Sequence, residues 1–142
     1  MPMLSKFHHL KLPVLFAALL VTAGTALAQE VKVMLTGDAE VPPVSTMASG
    51  SGSINVAADM TVSGMVMTSG ITGSMAHIHL AAAGKNGGVI IPLTAQGMGD
   101  WMVPAGAKLT EAQYAAFKAG ELYVNVHSAA NPGGEIRAQI KP

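Results

Sequence analysis

Leu122-Tyr123-Val124-Asn125-Val126-His127-Ser128 alternates its side chains with a period of two. After Asn131-Pro132-Gly133-Gly134, the stretch Glu135-Ile136-Arg137-Ala138-Gln139-Ile140-Lys141 does the same. A period of two puts successive side chains on opposite faces of an extended chain, and the Asn-Pro-Gly-Gly run between the two stretches is a strong turn signal. The pair therefore reads as an antiparallel hairpin with Leu122, Val124, Val126, Ile136, Ala138 and Ile140 on buried faces. Just upstream lies the one segment of helical period. Thr110 stands as an N-cap, Gln113 takes the capping-box position, Tyr114 and Phe117 are three apart, and Gly120 is a stop, so a helix of two or three turns is expected.

Working back toward the N-terminus, period two dominates. Val31, Val33 and Leu35 alternate with Lys32, Met34 and Thr36, and Asp38 to Pro43 reads as a loop closed by two prolines. Ser51 to Ala57 and Met60 to Ser69 form a second hairpin across Ala58-Asp59. In its second strand, Val62 and Val66 face one side while Thr61, Ser63, Met65, Met67 and Ser69 face the other. A strand through Met75-Ala76-His77-Ile78-His79-Leu80 follows, then the polar loop Ala83 to Gly88. The strand Val89 to Leu93 comes next, and Pro92 confines it to a sheet edge or makes it a strand end. Many short strands and one short helix predict a mainly β fold, an antiparallel Greek-key-like β-sandwich or partly closed barrel.

Residues 1–28 stand apart from this pattern. Lys6 and Lys11 precede an apolar run from Leu12 to Val21 that is too short for a membrane span, and Ala26-Leu27-Ala28 is a small-residue cleavage signal. The expected product begins at Gln29, is periplasmic or secreted, and retains no membrane anchor. The remaining 29–142 stretch is the size of a single β domain. With no cysteine in the 142 residues, disulfides contribute nothing and stability must come from the core. Formal charge is balanced at 8 basic and 8 acidic residues, and loss of Lys6 and Lys11 leaves a slight acidic excess. With no basic run and few aromatics, nothing suggests a nucleic-acid partner.

Of the 5 histidines, His8 and His9 fall in the expected leader. His77 and His79 share one face of their strand, and Asn125 and His127 share one face of theirs. Residues two apart on a strand are about 6 to 7 Å apart, close enough for two imidazoles to share an ion at bonds of about 2.0–2.1 Å. If the two strands are adjacent, His77, His79 and His127 form a three-nitrogen metal site with an open position. Met75 has the same parity as the histidines. The 10 methionines lean the choice of metal toward copper, because thioethers favour Cu(I), with zinc as the alternative. Glu135 and Asn125 are available to orient an imidazole. The competing reading makes the histidines a hydrogen-bonded polar network, Glu135 and Arg137 a cross-strand ion pair, and methionine a flexible core filler. Met60, Met98 and Met102 read as packing or loop residues, and Trp101 as core cover near the helix.

Together, Ala76-His77-Ile78-His79, the glycine-rich loop into Val89-Ile90-Ile91-Pro92-Leu93, the helix ending at Gly120, Tyr123-Val124-Asn125-Val126-His127 and Pro132-Gly133-Gly134-Glu135-Ile136-Arg137 resemble the CHRD domain, named for chordin. The opening Leu35 to Pro43 resembles the start of that domain. Leu80 and Ala138 stand where the resemblance leads one to expect glycine. The resemblance implies an extracytoplasmic β-rich domain without an established activity. The His-x-His strand is also locally similar to the copper strand of copper/zinc superoxide dismutases, although the further ligands of those enzymes are missing here. Three functions follow as expectations: an exported metal-binding protein, an extracellular interaction or structural module that engages another exported protein, and a metal-dependent redox enzyme. No cysteine nucleophile or nucleophile-elbow serine supports other catalysis.

Overall fold

The computed structural model describes residues 27–142, so the expected leader lies outside the described residues except for its last two positions. Nine antiparallel strands and one α-helix follow one another: β1 (Gln29–Thr36), β2 (Ser49–Val56), β3 (Val62–Ser69), β4 (Gly73–Leu80), β5 (Gly88–Pro92), β6 (Thr94–Gln96), β7 (Asp100–Met102), α1 (Glu111–Lys118), β8 (Leu122–Ser128) and β9 (Ile136–Ile140). The strands make one sheet in the order β5-β4-β8-β9-β1-β2-β3-β7-β6. That sheet curls into a nearly closed, barrel-like form. The two ends of the sheet approach where Trp101 of β7 lies so close to Gly73 of β4 that a side chain there would meet the indole at 2.8 Å.

The period-two reading identifies the inward face. Val31, Val33 and Leu35 of β1, Val62 and Val66 of β3, Ala76 and Ile78 of β4, and Leu122, Val124 and Val126 of β8 are all buried in one core with Ile136, Ala138 and Ile140 of β9. The terminal hairpin pairs Leu122 with Ile140, Val124 with Ala138 and Val126 with Ile136, so apolar residues sit directly opposite one another. Pro92 ends β5, and β5 lies at one end of the sheet order, where its missing amide breaks no inner ladder.

The helix forms where its caps place it. Thr110 Oγ1 accepts from the Gln113 amide at 3.2 Å, and Gln113 Oε1 accepts from the Thr110 amide at 2.9 Å. The two bonds close a capping box and satisfy donors that the first turn leaves free. Phe117 is the buried anchor of the helix, and Gly120 follows it at φ 73°. Such a φ suits glycine because it has no Cβ to clash.

Two features differ from the sequence reading. The stretch 94–102 forms a short hairpin of β6 and β7, pairing Thr94 with Met102 and Gln96 with Asp100. Strands of three residues are too short to leave a readable period. Trp101 lies on that hairpin opposite Val66 and against Gly73, which makes it core cover between β3 and β4. No helix among the described residues is long and apolar enough to cross a membrane.

Candidate metal centre

The two histidine stretches are neighbours. β4 and β8 are antiparallel with Met75 opposite His127, His77 opposite Asn125 and His79 opposite Tyr123. Because Ala76 and Ile78 turn into the core, the odd-numbered side chains of β4 and β8 lie on the other face of the sheet. There His79 and His127 are buried and His77 is half-buried. The ring centroids are 5.5 Å apart for His77 and His79, 4.9 Å for His77 and His127, and 6.1 Å for His79 and His127. One nitrogen from each ring can be chosen so that all three lie within 4.8 Å of one another.

The backbone fixes two of the rings. His79 Nδ1 lies 3.0 Å from the Gly87 carbonyl oxygen, and His127 Nδ1 lies 2.9 Å from the Pro132 carbonyl oxygen. A carbonyl can only accept, so in each ring Nδ1 carries the proton and Nε2 presents a lone pair. His127 Nε2 takes a hydrogen bond from His77 Nδ1 at 3.0 Å. His79 Nε2 is buried and has no hydrogen-bond partner. On β8 itself, Asn125 Nδ2 donates a long hydrogen bond to Glu40 Oε1 at 3.4 Å, and in that orientation Asn125 Oδ1 is buried without a donor. Two buried acceptors that both lack a donor each cost on the order of 1–3 kcal/mol unless a cation or proton meets them.

Three nitrogens bonded tetrahedrally to one metal at about 2.0–2.1 Å stand about 3.4 Å apart. The hydrogen-bonded His77–His127 separation of 3.0 Å must open by only about 0.4 Å to reach it, and drawing His79 in takes a shift of about 1 to 2 Å. Burial, followed by the neighbouring His127 and His79, lowers the His77 pKa below its ordinary 6.5. Burial also lowers that of His79, against the upward pull of the Gly87 carbonyl and of the neighbouring Asn125 side chain. Both effects favour neutral imidazole, which is the ligating form.

The loop 83–88 delivers the Gly87 carbonyl, and a clamp absent from the sequence reading holds that loop. Arg137, 1% exposed, donates from Nη2 to the Lys85 carbonyl at 2.7 Å and from Nη1 to Asn86 Oδ1 at 3.1 Å. Its guanidinium carbon sits 3.4 Å from the Tyr123 ring centroid. Tyr123 also stacks on His79, with centroids 4.6 Å apart and rings 1° from parallel. The Tyr123 hydroxyl accepts from the Gly87 amide at 3.2 Å, and Asn86 Nδ2 donates to the Val41 carbonyl at 2.7 Å. Gly87 itself packs so tightly on the Leu80 carbonyl that a Cβ would collide with it. The aromatic at the odd position of β8 was the available signal for this clamp, but the partner loop is about forty residues away in sequence.

Glu135 and Arg137 do not pair. Glu135 accepts from the Thr46 hydroxyl at 2.6 Å and from the Ser128 hydroxyl, and those bonds hold its pKa below the ordinary 4.5. No imidazole bonds to Glu135. The carbonyls of Gly87 and Pro132 orient the rings instead, a role that sequence cannot assign because every residue carries a carbonyl. Asn125 does lie in the cluster, though its amide serves Glu40, whose carboxyl burial pushes up in pKa. Met75 is 48% exposed on the histidine face, next to His127 by register.

A family model described as the CHRD domain matches residues 31–140. No curated protein and no solved structure matches the chain.

Proposed function

The chain belongs to the CHRD domain family, and from that premise we propose that it is an exported protein that binds a transition metal through His77, His79 and His127. The observation that carries the reading is the unpartnered, buried His79 Nε2, in a ring whose other nitrogen is committed to a backbone carbonyl. A metal would take the lone pairs of His79 Nε2 and His127 Nε2 and displace the proton that His77 Nδ1 donates to His127. Binding would therefore release that proton or move it to His77 Nε2. The Gly87 and Pro132 carbonyls would orient the ligands from behind, as acceptors behind metal-bound imidazoles do. Copper is favoured over zinc because the Met75 thioether shares the face and is a soft donor.

Elemental analysis of the protein recovered from the exported fraction of its native host tests the reading, because recombinant loading can fill a histidine site with the wrong metal. At least one equivalent of copper, with one equivalent lost in a His79→Ala variant, is the expected result, and a chain starting at Gln29 is the expected mature form. Zinc in its place would keep the site and change the metal. Protein recovered without transition metal would favour the second reading, an extracellular interaction module, which the bonds of His79 and His127 to loop carbonyls also suit. A redox activity would need turnover with superoxide or another oxidant at the open coordination position.

A further inference from the structure

A second group of soft donors lies on the other half of the sheet. Its outer face carries methionines where strands ordinarily show polar side chains to water. Across β1, β2, β3 and β7 one row runs Met34, Ser51, Met67, Asp100, and the next runs Lys32, Ser53, Met65, Met102. Met34 is 79% exposed, Met67 50%, and Met65 and Met102 each 40%. The central strand contributes only Ser51 and Ser53 to these rows, so its short side chains leave a trough walled by methionine. Two adjoining surface depressions share Met34, Ser51 and Met67, and one of them extends to Met65.

We propose that this trough is a binding site for a soft monovalent ion, Cu(I) in chemical class, held by the thioethers of Met34, Met65 and Met67, with Met102 opposite Met65 in reach as a fourth sulfur. Met34 and Met67 flank β2, two strand spacings or about 9.6 Å apart at the backbone. Two metal–sulfur bonds of about 2.3 Å each close roughly half of that gap. The remainder falls to two side chains with three rotatable bonds apiece. Neutral thioethers carry no charge to offset a divalent ion, and they select Cu(I) among the biological metals. Lys32 would repel a cation at the edge, but Glu30 holds its ammonium at 2.7 Å. Asp100 closes the opposite end of the Met34 row. The histidine cluster lies on β4 and β8 and shares no residue with this site, so neither reading depends on the other.

Methyl-labelled methionine NMR with Ag(I), a redox-inert stand-in for Cu(I), tests the proposal on the wild-type protein. The methyl signals of Met34, Met65 and Met67 should move together and saturate at one equivalent, while Met47 and Met98, 96% and 100% exposed and outside the strand rows that build the trough, stay in place. Met34→Leu with Met67→Leu keeps shape and apolarity and should weaken this equivalent at least about tenfold. His77→Ala should leave it intact, which separates this site from the histidine site. Unmoved trough methyls, or Met47 and Met98 shifting in parallel with them, would overturn the proposal. Full retention of the equivalent in the double leucine variant would overturn it as well.

Discussion

Metal added to the folded protein should raise its unfolding temperature, and the structure sets the size of the effect. A ligand that binds only the native state stabilises it by about 2.7 kcal/mol at a hundredfold excess over its dissociation constant. About 115 ordered residues, at an unfolding entropy of about 2.1 cal/mol/K per residue, give about 0.24 kcal/mol/K, so the expected shift is about 11 °C. His79→Ala tests the route. It removes the bond to the Gly87 carbonyl and the stack on Tyr123, which should lower metal-free stability by about 1–3 kcal/mol, or about 4–12 °C, and abolish most of the metal-induced rise. The lowered pKa values of His77 and His79 keep both rings neutral somewhat below pH 6.5, so the metal effect should persist to that pH and fade below it. The assay is scanning calorimetry of parent and variant, with chelator or with Cu(II) or Zn(II), at two pH values. A parent whose transition does not move over about a hundredfold range of metal would refute the reasoning. A His79→Ala variant with an undiminished shift would do so too, since the metal would then bind elsewhere.

Arg137→Lys keeps the charge but loses the planar fork that holds the Lys85 carbonyl and Asn86. It should cost about 1.5–3 kcal/mol in denaturant unfolding and weaken metal binding through the displaced Gly87 carbonyl; an unchanged midpoint would show that other contacts hold the loop. Glu135 has a folded pKa below 4.5, so its stabilisation is complete above that value and is lost as pH falls through the folded pKa. Glu135→Gln should accordingly flatten the fall of unfolding temperature below about pH 4.5, and an identical acid limb in the parent would count against the Ser128 and Thr46 bonds. Phe117→Ala empties the anchor of α1, 1% exposed, and should cost about 3–5 kcal/mol by urea titration. A loss under about 1 kcal/mol would place α1 outside the core.

The longer strands, the terminal hairpin and the capped helix were legible in the sequence, unlike the three-residue β6 and β7, because each follows from local period and turn chemistry: Val31, Val33 and Leu35 on one face, Asn131-Pro132-Gly133-Gly134 at the turn, Thr110 and Gln113 at the cap. The shared face of His77 and His79 was legible for the same reason, since strand parity is local. Their meeting with His127 required β4 and β8 to be neighbours in the correct register, which pairing across the sheet decides. What orients the rings was beyond sequence. The Gly87 and Pro132 carbonyls, the Arg137 clamp on the loop 83–88, and the Thr46 and Ser128 bonds that take Glu135 away from both Arg137 and the imidazoles arise between segments up to 89 residues apart. The methionine trough has the same origin, because Met34 and Met67 become neighbours only through their common partner Ser51. Side-chain periodicity fixes which way a residue faces along its own strand, whereas the partner it faces is set by the burial and backbone pairing of the whole sheet.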